Sequence, residues 1–211
     1  MFGGGEIARI DPGANLVAGR TTVGGSPTGI AVDAGGSVWV GNLDGYASRI
    51  DPSSGHVTAT VSLPSGVSTL LPVGGLLWAG LQDGSLVSIN PTTAALQGSA
   101  IPVGADLDAL TNTPSRLWAS TFGGRAARVD LSSRAVLRSV KLPGKGSGIA
   151  FAGGRVWVSV FDRRLVVGLD PVTGSLLSAV HTGTGPRESI VAGGMLWVAD
   201  ESVGKLTPLP L

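Results

Sequence analysis

The sequence predicts an all-β fold, a β-propeller of about five four-stranded blades, on three observations. All five tryptophans, Trp39, Trp78, Trp118, Trp157 and Trp197, fall in one frame at spacings of 39, 40, 39 and 40 residues. A second mark, Asp11, Asp51, Asn90, Asp130 and Asp170, holds the same period at 40, 39, 40 and 40, and proline follows four of these five. Short apolar runs alternate with glycine- and aspartate-rich turns, and no 3.6-residue period is sustained anywhere.

The first full copy shows the four elements. Gly29-Ile30-Ala31-Val32 is an apolar run, strand A, closed by the turn Asp33-Ala34-Gly35-Gly36. Ser37-Val38-Trp39-Val40 is strand B, and Leu43-Asp44-Gly45 is a hairpin signal that supplies positive φ at low cost. Ala47-Ser48-Arg49-Ile50 is strand C. Asp51-Pro52-Ser53-Ser54-Gly55 turns it back, with proline presetting φ and aspartate able to bond its own backbone. His56 to Val61 is strand D. Strands A and B are apolar at successive positions, C alternates and D alternates more, so burial is expected to fall from A to D, as in a radial stack of sheets. Flanked by apolar residues, all five tryptophans read as core between blades.

The repeats fall at approximately 25–64, 65–103, 104–143 and 144–183. Residues 6–12 read as a strand C and 15–20 as a strand D, whereas Ser189-Ile190-Val191 and Met195 to Val198 read as strands A and B. The expectation is therefore one domain over 1–211, its last blade a composite of 184–211 with 1–24. Lys205-Leu206-Thr207 is a strand-C remnant whose following prolines, Pro208 and Pro210, are expected to lose the place to the N-terminal strand. The alternative is an open fragment of a seven-bladed propeller. A closed ring implies a monomer and a fragment implies an oligomer.

Composition excludes several classes. Charged residues are 14%, against roughly 25% in a usual soluble domain, and the formal net charge is +1 with no basic stripe, so nucleic acid is not an expected partner. No cysteine is present, which removes disulfides, zinc ribbons and thiol chemistry. No apolar run approaches the ~18 residues of a membrane span. Met1 to Glu6 has no basic and apolar leader pattern, which reads as cytoplasmic for the chain as it stands, or extracytoplasmic if it was cut from a longer protein.

Strand order puts the D–A and B–C loops on one face and the stereotyped A–B and C–D turns on the other. The first face carries the loops that differ between repeats, where binding residues belong. Its candidates for ligand binding are Asp106, Asp108, Lys145, Arg187, Glu188 and Asp200. Two clusters depart from the repeat: Gly104-Ala105-Asp106-Leu107-Asp108, and Gly185-Pro186-Arg187-Glu188 with an adjacent ion pair. Facing each other across a channel mouth they suit a small polar ligand or a peptide. If a divalent cation binds, Asp106 and Asp108 offer the oxygen ligands that magnesium or calcium takes. His56 lies on the far face. His181 ends a strand D on the loop face and is the one candidate base if the chain is an enzyme.

Gly-Ile-Ala-Val at 29–32, Val-Trp-Val-Gly-Asn at 38–42 and Arg-Ile-Asp-Pro-Ser-Ser-Gly at 49–55 resemble the YncE-like and virginiamycin-B-lyase-like propeller repeats, cousins of the NHL repeat. The resemblance covers nearly the whole chain. It implies a propeller, commonly seven-bladed, on a scaffold shared by lyases, sensors and binding modules. Its lyase branch implies a histidine base with magnesium held by carboxylate and further histidine contacts. This sequence has no second histidine on the loop face and no His-x-x-Glu spacing. A non-catalytic binding or sensor scaffold is thus the leading expectation, with a metal-dependent lyase or related hydrolase as the alternative.

Overall fold

The computed structural model describes residues 4–211. Met1 to Gly3 lie outside the described residues, and with them the start of the 1–24 segment and half of the leader reading. The chain divides into two compact units, Met1–Ala100 and Ile101–Leu211. Each consists of antiparallel meanders. The only helical element among the described residues is a 3₁₀ turn at Phe161–Arg163, and no helix is long and apolar enough to cross a membrane.

In the first unit β1 (Glu6–Asp11) and β2 (Leu16–Thr22) form a two-stranded sheet. β3 (Pro27–Val32), β4 (Val38–Asn42), β5 (Tyr46–Ile50) and β6 (Val57–Ser62) form a four-stranded blade. So do β7 (Val67–Val73), β8 (Leu76–Leu81), β9 (Ser85–Asn90) and β10 (Ala95–Pro102), whose last two residues lie past the unit boundary. The second unit repeats the plan in β11 (Leu107–Asn112), β12 (Leu117–Thr121), β13 (Arg125–Asp130) and β14 (Ala135–Lys141). A further blade holds β15 (Gly146–Ala152), β16 (Arg155–Val160), β17 (Leu165–Leu169) and β18 (Leu176–His181). Its last sheet is three-stranded: β19 (Pro186–Ala192), β20 (Met195–Asp200) and β21 (Lys205–Pro210).

The four complete blades are the sheets β3–β6, β7–β10, β11–β14 and β15–β18. Within the second unit Lys205-Leu206-Thr207 does not give up its place: β21 pairs with β20, with Trp197 opposite Pro208 and Met195 opposite Pro210. The two prolines lie two residues apart, so both turn their nitrogens to the same side. An edge strand can leave that side unpaired and still bond its neighbour through the alternate residues.

Burial also departs from the expected gradient. Strand C is nearly as buried as B, as in β9 and β17, D is largely exposed, and A is partly exposed, as in β3 and β19. Trp39, Trp78, Trp118 and Trp157 are buried, whereas Trp197 is half-buried.

The stereotyped turns are hydrogen-bonded alike. The Oδ1 atoms of Asp11, Asp51, Asn90, Asp130 and Asp170 each accept the N–H groups two and three residues on. For Asp51, the Ser53 hydroxyl and the Ser54 and Ser53 amides hold the carboxyl at about 2. A depressed carboxyl contributes stability that is present above its unfolded pKa and lost as pH falls toward its folded one. Asn90 makes the same turn without titrating. Asp51→Asn is therefore expected to keep the fold and to flatten the acid limb of a stability-versus-pH curve, measured by urea titration. An unchanged limb would show that this turn adds nothing to acid sensitivity.

Candidate functional site

Every strand A opens with an irregular step against strand B, and these steps create the site. The ladder shifts between Leu107 and Ala109, between Gly146 and Ile149, and between Pro186 and Ser189. A bulge takes residues off the regular pleat and re-aims their side chains. Asp108 occupies the first of these steps, Ser147 and Gly148 the second, and Arg187 and Glu188 the third.

Buried hydroxyls fasten the sheets at this level. Ser120 Oγ donates to the Ser147 carbonyl, and Ser147 Oγ donates to the Pro186 carbonyl at 2.9 Å. Thr28 Oγ1 makes the equivalent bond to the Val67 carbonyl at 2.6 Å in the first unit. Gly148 has no side chain to separate β15 from β19, because a Cβ there would lie 2.3 Å from the Arg187 carbonyl oxygen.

The B–C loops are tied to the D–A loops, as the strand order requires of a shared face. Phe122 N–H donates to the Asp106 carbonyl at 2.8 Å, Phe161 N–H to Lys145 at 2.9 Å, and Glu201 N–H to Gly185 at 3.1 Å. These three bonds bring a ring, a second ring and a carboxylate to the bulges.

The result is a mixed-charge cluster centred on Arg187. Its Nη2 lies 3.3 Å from Asp108 Oδ1 and its Nε 3.9 Å from Glu201 Oε2. Its guanidinium carbon stands 5.0 Å from the centre of the Phe122 ring, and the Lys145 ammonium 5.4 Å from the same ring. Phe122 in turn contacts Phe161 at 5.6 Å between centroids. A ring face attracts both cations and holds them close to the carboxylates. Burial raises the Asp108 carboxyl above its ordinary range, with the Arg187 charge opposing and Glu201 adding. Crowding by the chain also raises Glu188, which the Asp108 charge pushes further up and Arg187 opposes. Glu188 keeps an exposed surface, so water softens that push.

The structure brings together Asp108, Lys145, Arg187 and Glu188 of the residues singled out in the sequence. The anticipated ion pair in the Arg187-Glu188 segment is instead made by Arg187 with Asp108 and Glu201. Asp106 stands aside, exposed and left-handed at φ 55°. It serves the loop through its carbonyl and makes no ion pair among the described residues. Asp200 is buried. Its Oδ1 accepts the Ser202 amide at 3.2 Å, and its Oδ2 has no hydrogen-bond partner and lies against Gly183. His181 is exposed at the end of β18, and its ring makes no hydrogen bond or ion pair among the described residues. No group of three His, Asp or Glu side chains is arranged to hold a metal ion among the described residues.

Sequence reasoning missed Phe122 and Phe161. They stand four residues after Trp118 and Trp157, where the other repeats carry Leu43, Gln82 and Glu201. Two aromatic residues at one loop position in consecutive repeats were the available signal.

Fold and site together define a β-propeller with a charged, aromatic-floored cluster on its loop face. No protein-family model and no curated protein matches the sequence. Among solved structures the chain is similar to Kuenenia stuttgartiensis hydrazine synthase, with 14% identity and a TM-score of 0.65 over 99% of this chain and 90% of that one. It is also similar to a chain in the crystal structure of a mitotic checkpoint complex, with 12% identity and a TM-score of 0.87 over 98% of this chain and 70% of that one. Both neighbours contain propellers. At these identities the likeness establishes the fold alone.

Proposed function

We propose that this protein is a non-catalytic binding module, of the YncE-like or virginiamycin-B-lyase-like propeller type, that takes a small polar ligand or a peptide on its loop face. The observation that carries the reading is Arg187, clasped by Asp108 and Glu201 over the Phe122 ring with Lys145 beside it. A guanidinium has five N–H donors in a fixed fork. Two of its nitrogens are engaged, so the remaining donors and the Lys145 ammonium can meet a ligand carboxylate or similar acceptor. Catalysis has less support, because His181 is not joined to any carboxylate.

The test is an NMR titration of the intact chain with acetate, inorganic phosphate, tri-glutamate, tri-lysine, magnesium chloride and calcium chloride. The acidic probes are expected to move the amides of Asp108, Phe122, Lys145, Arg187 and Glu188 in a saturable way. Arg187→Gln is expected to weaken that binding by about tenfold or more, the scale of one lost charge-assisted hydrogen bond. Saturable shifts with magnesium or calcium at the same residues would favour the metal-dependent reading. If none of the six moves this face, the binding site lies elsewhere.

A further inference from the structure

The first unit has a receiving surface for a tryptophan-bearing strand that no strand of that unit fills. In the complete blades one set of positions accepts the tryptophan of the preceding sheet. Trp39 packs in one cluster with Leu70, Leu77 and Ile89. Trp118 packs in one cluster with Ile149, Val156 and Leu169. The register makes the two sets equivalent. Leu77 and Val156 each precede their own blade's tryptophan, Ile89 and Leu169 are their cross-strand partners, and Leu70 and Ile149 face the residue after it. The same rule picks out Val38, Ile50 and Ile30 in the first blade.

Neither tryptophan of the first unit packs in the cluster that holds Ile50 and Val38. The third set lines a cavity of about 370 Å³, closed on the other side by Ile7, Ala8 and Arg9 of β1 and by residues of β2. Ile30 is 61% exposed, whereas Leu70 and Ile149 are 8% and 5%. The two-stranded sheet is otherwise seated as the outer half of a blade. Arg9 Nη1 donates to the Pro52 carbonyl at 3.0 Å, as Arg49 donates to Pro91 and Thr92 and Arg128 to Val172. What is missing is strand B: among the described residues only β2 pairs with β1.

The chain carries a matching strand. Trp197 on β20 is half-buried, and Ile190 opposite it is 65% exposed. In the complete blades Trp39 and Trp118 sit opposite Arg49 and Arg128 of strand C, and Arg9 is the equivalent residue of β1. The present neighbour of β20, β21, contains two prolines, whereas all six residues of β1 carry an N–H.

We infer that the cavity between β1–β2 and β3–β5 receives β20 of a second copy of this chain, with the second copy's Trp197 opposite Arg9 and β1 taking the place of β21. Each copy offers one donor strand and one receiving surface, so the contact is head-to-tail and forms a closed ring or a growing chain of copies.

Light scattering on the intact chain is expected to give a multiple of 21.1 kDa, and Trp197→Ala is expected to reduce it to a single chain. Ile30→Asp alters only the receiving side and is expected to do the same, which covers the case in which Trp197→Ala fails to fold. The chain has no cysteine, so Ala8→Cys mixed with Val198→Cys reports the register. Oxidation is expected to link these two chains at least several-fold more than Ala8→Cys mixed with Leu177→Cys. A monomeric intact chain overturns the inference. So does a folded Trp197→Ala or Ile30→Asp that stays associated, or a cross-link no stronger than the control. An intrachain link in a monomeric Ala8→Cys/Val198→Cys double variant also overturns it.

Discussion

Trp39→Ala is expected to cost about 3–5 kcal/mol of folding stability, the range for truncating a fully buried aromatic side chain. Trp39 is 0% exposed, and its indole fills the space between two blades of the first unit. It also donates from Nε1 to Asp33 Oδ2 at 2.9 Å, and Asp33 is itself buried. Truncation therefore leaves a cavity and strips a buried carboxylate of one donor, which adds about 1–3 kcal/mol. A domain of ordinary stability has about 5–15 kcal/mol in total, so the variant stands at the edge of unfolding. Urea titration followed by circular dichroism measures this directly. Trp39→Phe keeps the ring and loses the donor, so it separates the two contributions. A Trp39→Ala midpoint close to that of the parent would mean that neighbouring side chains close the gap.

That role for tryptophan was legible because a repeat states the same packing rule several times. Five tryptophans in one frame, with four turn aspartates and Asn90, marked the blade and its four strands, and the strand order put the B–C loops beside the D–A loops. Trp197 escaped the rule, since burial depends on the neighbour that receives a side chain as well as on its own flanking residues. The fate of β21 escaped for a similar reason. Pro208 and Pro210 argue against a strand with two neighbours, but they are harmless on an edge when both nitrogens turn outward.

The site was half legible. Asp108, Arg187 and Glu188 broke the repeat and so stood out, and the bulges that aim them follow from the irregular start of each strand A. Asp106 looked the same in sequence and fell outside the cluster, because its left-handed backbone turns the loop there. Asp200 looked available and is buried beneath Gly183. The aromatic floor went unseen because single phenylalanines in loops carry no pattern until two are compared in the same frame.

Gly148→Ala is expected to damage fold and site together. A Cβ at this position would lie 2.3 Å from the Arg187 oxygen, 2.8 Å from Glu188 Cα and 2.8 Å from the Ser189 nitrogen. All three are backbone atoms, which cannot swing away as a side chain can, so β19 must move off β15. Overpacking of this kind costs about 1–3 kcal/mol, and the rigidity of the contacts places Gly148→Ala toward the upper end. Gly29 holds the equivalent position in the first blade, where the nearest atoms, around Leu70 and Thr69, would be 3.1–3.3 Å away. Gly29→Ala is therefore expected to cost less, and urea titration of the pair should show that order. The displacement carries Arg187 and Glu188 away from Asp108, although none of these residues is changed. Arg187 opposes the rise of the Asp108 carboxyl, so with the guanidinium drawn back, Asp108 should titrate at higher pH still. Carboxyl carbon NMR across the acid range reads this. An upward move of the Asp108 midpoint in Gly148→Ala, absent in Gly29→Ala, links the glycine to the charge cluster. An unmoved midpoint would show that Arg187 keeps its place over Phe122 despite the shifted strand.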